Sequence, residues 1–389
     1  MYHDRALAGI TRTHGAPKTA PQHFVPASAP ALDCAIIVPT YNEAGNVGLL
    51  AKALEAALEG WAYEIIFVDD WSLDGTPDVV AAMAQADPRI RLIRRFGRRG
   101  LSSAVLEGML ASVAPILAVI DADMQHDEKL LPALLDAIRG GGADVAIGSR
   151  YCAEGSVGNW GGTREAGSRW ATQLAQLALK APLTDPMSGF FAVRRDVMLS
   201  ALPRMSNMGF KVLLDMVASL PAAPRVAELP YTFRNRHAGE SKLDSTVVID
   251  FLMLLIDKKL GGRVPPRMIM FGAIGVLGLG VHLSVLTLAM ALGASFIVAQ
   301  TGAVLSAIAF NFIHNNSLTY HDKRLRGPAM LRGLAIFYAV CGLGALANVG
   351  AGSVVFAHDH KAWLAGIAGA VVGSVWNFLI SSLTVWKKK

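Results

Sequence analysis

Through the first two thirds of the chain, short apolar runs alternate with stretches in which apolar residues recur every three or four positions. The runs Cys34–Val38, Tyr63–Val68, Ile90–Ile93, Ile116–Ile120 and Asp144–Gly148 read as strands. The periodic stretches Asn46–Glu59, Pro77–Gln85, Ser102–Ser112 and Glu128–Arg139 read as the helices between them. Such alternation predicts a parallel, doubly wound α/β sheet. From Met268 onward the pattern changes. Met268–Leu292, Ala294–Phe312, Leu334–Ala357 and Trp363–Trp386 carry almost no charge. Each approaches or exceeds the roughly 20 residues that span a hydrocarbon core as a helix. The expectation is an α/β domain over residues 34–243 followed by a four-helix transmembrane domain over 267–389. Residues 244–266, too short in their apolar part to span, predict an interfacial helix stopped by Gly261, Gly262 and two prolines. Residues 1–33 begin rich in Pro, Ala, His and Thr, lack a signal-peptide core, and read as a flexible tail.

The apolar part repeats itself. Phe271 matches Phe337, Gly278 matches Gly344, Asn311 and Phe312 match Asn377 and Phe378, and Tyr320 matches Trp386, always 66 residues apart. Two helices per unit preserve direction, so the repeat is a parallel duplication. Asparagines are costly inside a membrane. Asn311 and Asn377 are therefore expected to face the bundle interior and help join the two repeats.

Composition sharpens this picture at two points. Hydrophobic residues make up 53% of the 389-residue chain, with a mean hydropathy of +0.40, and the excess lies in the last third. The net charge of +6 suggests a polyanion at first sight. However, the basic residues crowd the ends of the apolar helices: Lys258, Lys259, Arg263 and Arg267, then Lys323, Arg324, Arg326 and Arg332, then Lys387–Lys389. A membrane surface explains them better than nucleic acid. The same asymmetry puts both termini and the Tyr320–Arg332 loop in the cytoplasm. Three cysteines, Cys34, Cys152 and Cys341, have neither disulfide nor zinc spacing.

Candidate chemistry gathers where strands should end. PTYNE (Pro39–Glu43) follows the first strand, DDWSLDGT (Asp69–Thr76) the second, and DADMQ (Asp121–Gln125) the fourth. In open α/β sheets ligands bind beyond the carboxyl ends of the strands, so these acids should open on one rim. In extended chain Asp121, Asp123 and Gln125 would point the same way. Hard cations such as Mg²⁺ or Mn²⁺ choose such oxygens, shared with substrate phosphates. Arg164 and Ser168 are four apart, on one face of a predicted helix, and with Arg150 can supply a phosphate site. Arg94, Arg95, Arg98 and Arg99 read as a solvated basic face, and His126 as a support for the acidic loop.

These motifs, with GRRGLSSAVLEG (Gly97–Gly108) and GSRY (Gly148–Tyr151), resemble family 2 glycosyltransferases of GT-A fold, whose sheet is Rossmann-like and mixed. DPMSGFFAVRR (Asp185–Arg195), GFKVLLD (Gly209–Asp215) and FRNRHAGESKL (Phe233–Leu243) resemble the branch of dolichol-phosphate mannose synthases and bacterial polyprenyl-phosphate hexosyltransferases. The apolar repeat is similar to the GtrA-like family. The resemblance implies that Pro39, Tyr41, Glu43 and Asp70 contact the nucleoside, and that Asp121, Asp123 and Gln125 hold the metal against the donor diphosphate. It implies that Lys211, Arg236 and Lys242 meet donor phosphates, and that Arg150, Arg164 and Ser168 hold the lipid phosphate. Asp123, Arg150 and Arg164 are then the catalytic set. One departure stands out: Trp71 occupies a position where the motif usually has glycine.

The implied activity is inverting transfer of a hexose from a nucleotide-sugar, GDP-mannose before UDP-glucose. The acceptor is polyprenyl or dolichyl phosphate at the cytoplasmic face of the cell inner membrane. An acceptor phosphate is already anionic, so no protein base is needed. Two rivals are a lipid-linked-sugar flippase with a sugar-binding soluble domain and a processive polysaccharide synthase. The second expects Q-x-x-R-W, and GSRW (Gly167–Trp170) lacks the glutamine.

Overall fold

The computed structural model describes residues 31–97, 100–158, 162–206, 210–234, 245–262, 264–359 and 362–387. Strands and helices follow in the order β1 (Cys34–Thr40), α1 (Val47–Ala57), β2 (Tyr63–Asp69), α2 (Thr76–Ala86), β3 (Ile90–Arg94), α3 (Leu101–Leu110), β4 (Ile116–Val119) and α4 (Leu131–Arg139). Next come β5 (Val145–Ser149), α5 (Gly162–Gln176), β6 (Phe191–Arg194), α6 (Arg195–Ala201), α7 (Val212–Ser219) and β7 (Val226–Pro230). The last helices are α8 (Ser245–Leu260), α9 (Pro266–Ala291), α10 (Phe296–His314), α11 (Pro328–Asp359) and α12 (Ala362–Thr384).

The five strands and four helices expected up to Gly148 all form, with no end shifted by more than three residues. The sheet is not wholly parallel, as periodicity alone predicted, but mixed. Its order is β3-β2-β1-β4-β6-β5-β7, and β6 runs antiparallel to both β4 and β5. This is the mixed, Rossmann-like sheet that the resemblance implies. Four-residue β6 is too short to leave a periodic signature. Central strands β1, β2, β4 and β5 are buried along their whole length, as their unbroken apolar runs require. Edge strands β3 and β7 are only partly covered. Alternate residues of β1 feed opposite cores: Ile36 and Val38 pack with α1 and α4, Ala35 and Ile37 with α3 and α7.

Helix α8 lays Phe251 and Leu254 on Ala175 of α5 and Leu214 of α7. Lys258 near its end forms a buried ion pair with Asp215 of α7 at 2.6 Å. On its other side, Asp250 meets His321 at 3.4 Å, and that carboxylate holds the imidazole above the ordinary histidine range. Thus α8 touches both the α/β layer and the chain just after α10.

Among the described residues four segments are long and apolar enough to cross a membrane: Pro266–Ala291, Phe296–Thr319, Pro328–Val355 and Ile367–Thr384. Their packing carries the repeat seen in the sequence. Phe271–Phe378 (5.8 Å between ring centroids) and Phe312–Phe337 (5.7 Å) are images of one another. Phe271–Phe337 (6.3 Å) and Tyr320–Trp386 (4.2 Å, interplanar angle 6°) each pair a residue with its own image. Such exchange is what a pseudo-two-fold relation between the α9–α10 and α11–α12 hairpins produces. Even the helix ends agree: Tyr320 N–H donates to Asn315 O (2.8 Å) and Trp386 N–H to Ser381 O (3.1 Å), each five residues back.

The asparagines do not join the repeats. Asn311 fits against Gly278, and Asn377 against Gly344, each within its own hairpin. Both Oδ1 atoms are buried without an N–H or O–H donor, and a glycine Cα–H is the group that faces them. Aromatic rings connect the halves, with one amide of the chain just after α10 among them: Trp386 Nε1 donates to Asn316 Oδ1 at 3.1 Å.

Candidate active site

Four parallel strands, β3-β2-β1-β4, end on one rim. Pro39 and Thr40 of β1 lie in register with Val68 and Asp69 of β2. The loops that follow are laced together. Asn42 N–H donates to Ser72 Oγ (2.8 Å), Leu73 N–H to Asn42 Oδ1 (3.1 Å), Glu43 N–H to Thr76 Oγ1 (2.9 Å) and Ala44 N–H to Asp74 Oδ2 (3.1 Å). Much of the polar content of PTYNE and DDWSLDGT is therefore architecture. Ser72, Asp74 and Thr76 shape the rim, and their bonding to the neighbouring loop was not legible in their spacing.

Asp70 is engaged by the protein itself: Oδ1 accepts from Arg95 Nη1 (2.5 Å) and Oδ2 from Gly100 N–H (2.6 Å). Arg95 is buried, not part of a solvated face as its charge run suggested. It also donates to Ser103 Oγ at 2.6 Å. Arg98 and Arg99 lie outside the described residues. Pro39 is buried and Tyr41 and Glu43 are partly exposed beside this rim, with Glu43 Oε2 accepting from Asn46 Nδ2 at 2.6 Å.

The acidic loop is a turn rather than extended chain. β4 stops at Val119, and Met124 has φ 61°. Alternation along a strand is thus not what arranges these side chains. Asp123 Oδ1 accepts from Gln125 N–H (3.2 Å), and Gln125 Nε2 donates to Arg234 O (3.0 Å). Asp121 Oδ2 lies 3.2 Å from His126 Nε2, while His126 Nδ1 lies 2.8 Å from Tyr231 Oη. His126 is packed among Phe190, Tyr231 and Phe233, as a supporting residue should be. Gly189 backs onto Asp121: a Cβ there would stand 2.5 Å from Oδ2.

Arg150, just past β5, is held by Asp185 through Nε–Oδ2 (2.7 Å) and Nη2–Oδ1 (2.8 Å), with its backbone N–H on Oδ2 as well (3.2 Å). Both side chains are buried. Lys211, at the start of α7, feels Arg150, Asp121 and Asp185. Burial, reinforced by Arg150, pushes its ammonium below the ordinary lysine range. Arg150, Lys211 and Asp121 thus share one electrostatic neighbourhood. Arg164 and Ser168 fall on α5, but their side chains lie outside the described residues, as do Arg236 and Lys242 entirely.

Residues 35–200 match Glycosyl transferase family 2, and residues 270–386 match the GtrA/DPMS transmembrane domain. The dolichol-phosphate mannosyltransferase of Pyrococcus furiosus is 33% identical over 354 residues, 90% of this chain and 98% of its own. The protein of the same name from Saccharomyces cerevisiae is 37% identical over 236 residues, 58% of this chain and 86% of its own. The chain is a family 2 glycosyltransferase. A solved glucosyl-3-phosphoglycerate synthase from Mycobacterium tuberculosis overlays with a TM-score of 0.45 at 18% identity, covering 58% of this chain and 80% of its own.

In this glycosyltransferase the residues of the acidic turn fit a divalent cation. Two carboxylates and an amide oxygen suit a hard ion. The Gln125 amide nitrogen is occupied by Arg234 O, which leaves Oε1 as the end available for coordination. Asp121 is 37% exposed and opens to the rim. Among the described residues no three His, Cys, Asp or Glu side chains converge, and hard cations held by one or two carboxylates usually share their remaining positions between water and substrate phosphates. Asp185, Gly189 and Tyr231 are the supporting residues that sequence reasoning passed over. The first two sit inside DPMSGF, and only their contacts with Arg150 and Asp121 reveal what they do.

Proposed function

We propose that this glycosyltransferase moves a hexose from a nucleotide-sugar, GDP-mannose before UDP-glucose, to polyprenyl or dolichyl phosphate with inversion. The observation that carries this is the rim itself. An oxygen set suited to Mg²⁺ or Mn²⁺ and the cations of Arg150 and Lys211 share one electrostatic neighbourhood in a chain with four membrane-length apolar helices. A bound cation would neutralise the departing diphosphate. Asp121, Asp123 and Gln125 would hold it, with Asp123 central.

Pro39, Tyr41, Glu43 and Asp70 line the nucleoside side, and Lys211, Arg236 and Lys242 receive donor phosphates. Arg150, Arg164 and Ser168 orient the acceptor phosphate. One of its oxygens attacks the anomeric carbon as the bond from that carbon to the diphosphate breaks. No side chain need remove a proton, since the attacking oxygen is already anionic. His126, tied to Asp121 and Tyr231, fits support rather than base catalysis. The basic residues after α8, between α10 and α11 and after α12 favour a cytoplasmic catalytic domain on a cell inner membrane.

Purified protein supplied with radiolabelled GDP-mannose, UDP-glucose or UDP-GlcNAc and one polyprenyl phosphate tests the donor. Transfer from none of them overturns the proposal. Asp121→Asn and Asp123→Asn should abolish metal-dependent transfer with the fold intact, and near-normal turnover in both would remove the metal assignment.

A further inference from the structure

We propose that Trp71, braced by Phe96, is the stacking platform for the base of the donor nucleotide, an inference that rests on the nucleotide-sugar reading above. Trp71 has φ 63°, a left-handed conformation that is an outlier for a bulky side chain. The surroundings impose it. On one side Asp70 is locked to Arg95 and Gly100. On the other, Ser72 N–H donates to Asp69 Oδ2 at 3.0 Å and Ser72 Oγ accepts from Asn42 N–H. Glycine meets this backbone demand without strain, which is why the motif usually carries it here.

Packing does not compensate the strain. The indole is 39% exposed, and Phe96, its edge-to-face neighbour at 6.3 Å, is 65% exposed. The Arg94 guanidinium stands 5.3 Å over the Phe96 ring. Strain retained at an exposed position points to a ligand.

The rim says which part of the ligand. The parallel run extends from β4 toward β3 only, because β6 on the other flank of β4 is antiparallel. Beyond β6, β5 also ends on this rim, but its end carries Arg150, read above as an acceptor-phosphate contact, so a nucleotide with its diphosphate at the acidic turn after β4 lies over β1 and β2. Trp71 stands two strands away, about 10 Å at the usual strand spacing, where the base would rest.

Binding of GDP, UDP and inorganic pyrophosphate to the full-length protein in detergent with Mn²⁺ tests this. Trp71→Gly should weaken GDP about tenfold, which is about 1.4 kcal/mol. UDP should lose less, since a pyrimidine offers the indole a smaller face. Pyrophosphate should be unaffected, Trp71→Tyr should retain most of the GDP affinity, and Trp71→Gly should melt no lower than the parent because the strain is gone. Unchanged GDP affinity in Trp71→Gly, or an equal loss for pyrophosphate, overturns the platform and leaves the transferase reading standing. If the parent protein binds neither GDP nor UDP, the nucleotide-sugar reading falls and this inference with it.

Discussion

Replacing Gly189 with alanine probes the acidic turn from behind. The backbone at Gly189 is not left-handed, so alanine meets no conformational penalty. Its Cβ would stand 2.5 Å from Asp121 Oδ2 and 3.1 Å from Cγ. Ordinary contact begins near 3.4 Å, so the carboxylate must retreat by about 1 Å. It can do so by rotating away, which costs the fold little but strains its contact with His126 at 3.2 Å. A displacement of about 1 Å at a reacting centre costs on the order of 100-fold in rate, or about 2.7 kcal/mol in the barrier. Transfer to polyprenyl phosphate measured across a Mn²⁺ titration should show both the lost turnover and a raised half-saturating metal concentration. Thermal melting should stay near that of the parent. Parental turnover with unchanged metal dependence would refute the placement of Asp121, and a melting loss that tracks the lost activity would make Gly189 a packing residue only.

Three further outcomes are expected. Gly278→Ala and Gly344→Ala should each destabilise the membrane domain by about 1–3 kcal/mol through overpacking, and by similar amounts because the hairpins are images. Adding Asn311→Ala to Gly278→Ala should recover most of the loss in a detergent melt, and no recovery would count against the asparagine–glycine contact. Asp215→Asn takes from buried Lys258 its nearest carboxylate and leaves Arg204 O (2.7 Å), Ser219 Oγ (2.9 Å) and Asp257 (3.6 Å) around the ammonium, which should cost about 1.5–3 kcal/mol and be visible as a lower melting temperature. Lys211 loses its proton at a lower pH than an ordinary lysine, whose value is 10.5, so transfer should decline on an alkaline limb below that pH. Lys211→Arg should push the limb upward. Over the same interval stability should rise with pH, because the unfolded chain still binds the proton that the folded chain has released.

Local pattern was enough for whatever depends on neighbours in sequence. The buried strands announced themselves as apolar runs, and the spans as uncharged stretches long enough to cross a membrane. The duplication was legible because 66-residue spacing preserves side-chain identity at Phe271/Phe337 and Asn311/Asn377. The acids of PTYNE, DDWSLDGT and DADMQ could be put on a common rim because consecutive parallel strands end on the same side.

What pattern could not supply was the partner of each polar group. Asp70 and Arg95 are 25 residues apart in sequence yet share a 2.5 Å ion pair, so Asp70 stands on the rim already bound to a protein cation and Arg95 is drawn out of the solvated surface. Asn311 chose the glycine of its own hairpin over the opposite repeat. β6 turned antiparallel inside a stretch too short to show a period. Residue types and their periodicity specify which elements form and which chemistry is available. Only the folded chain decides which buried carboxylate meets which cation, because that choice depends on distances set by packing between elements remote in sequence.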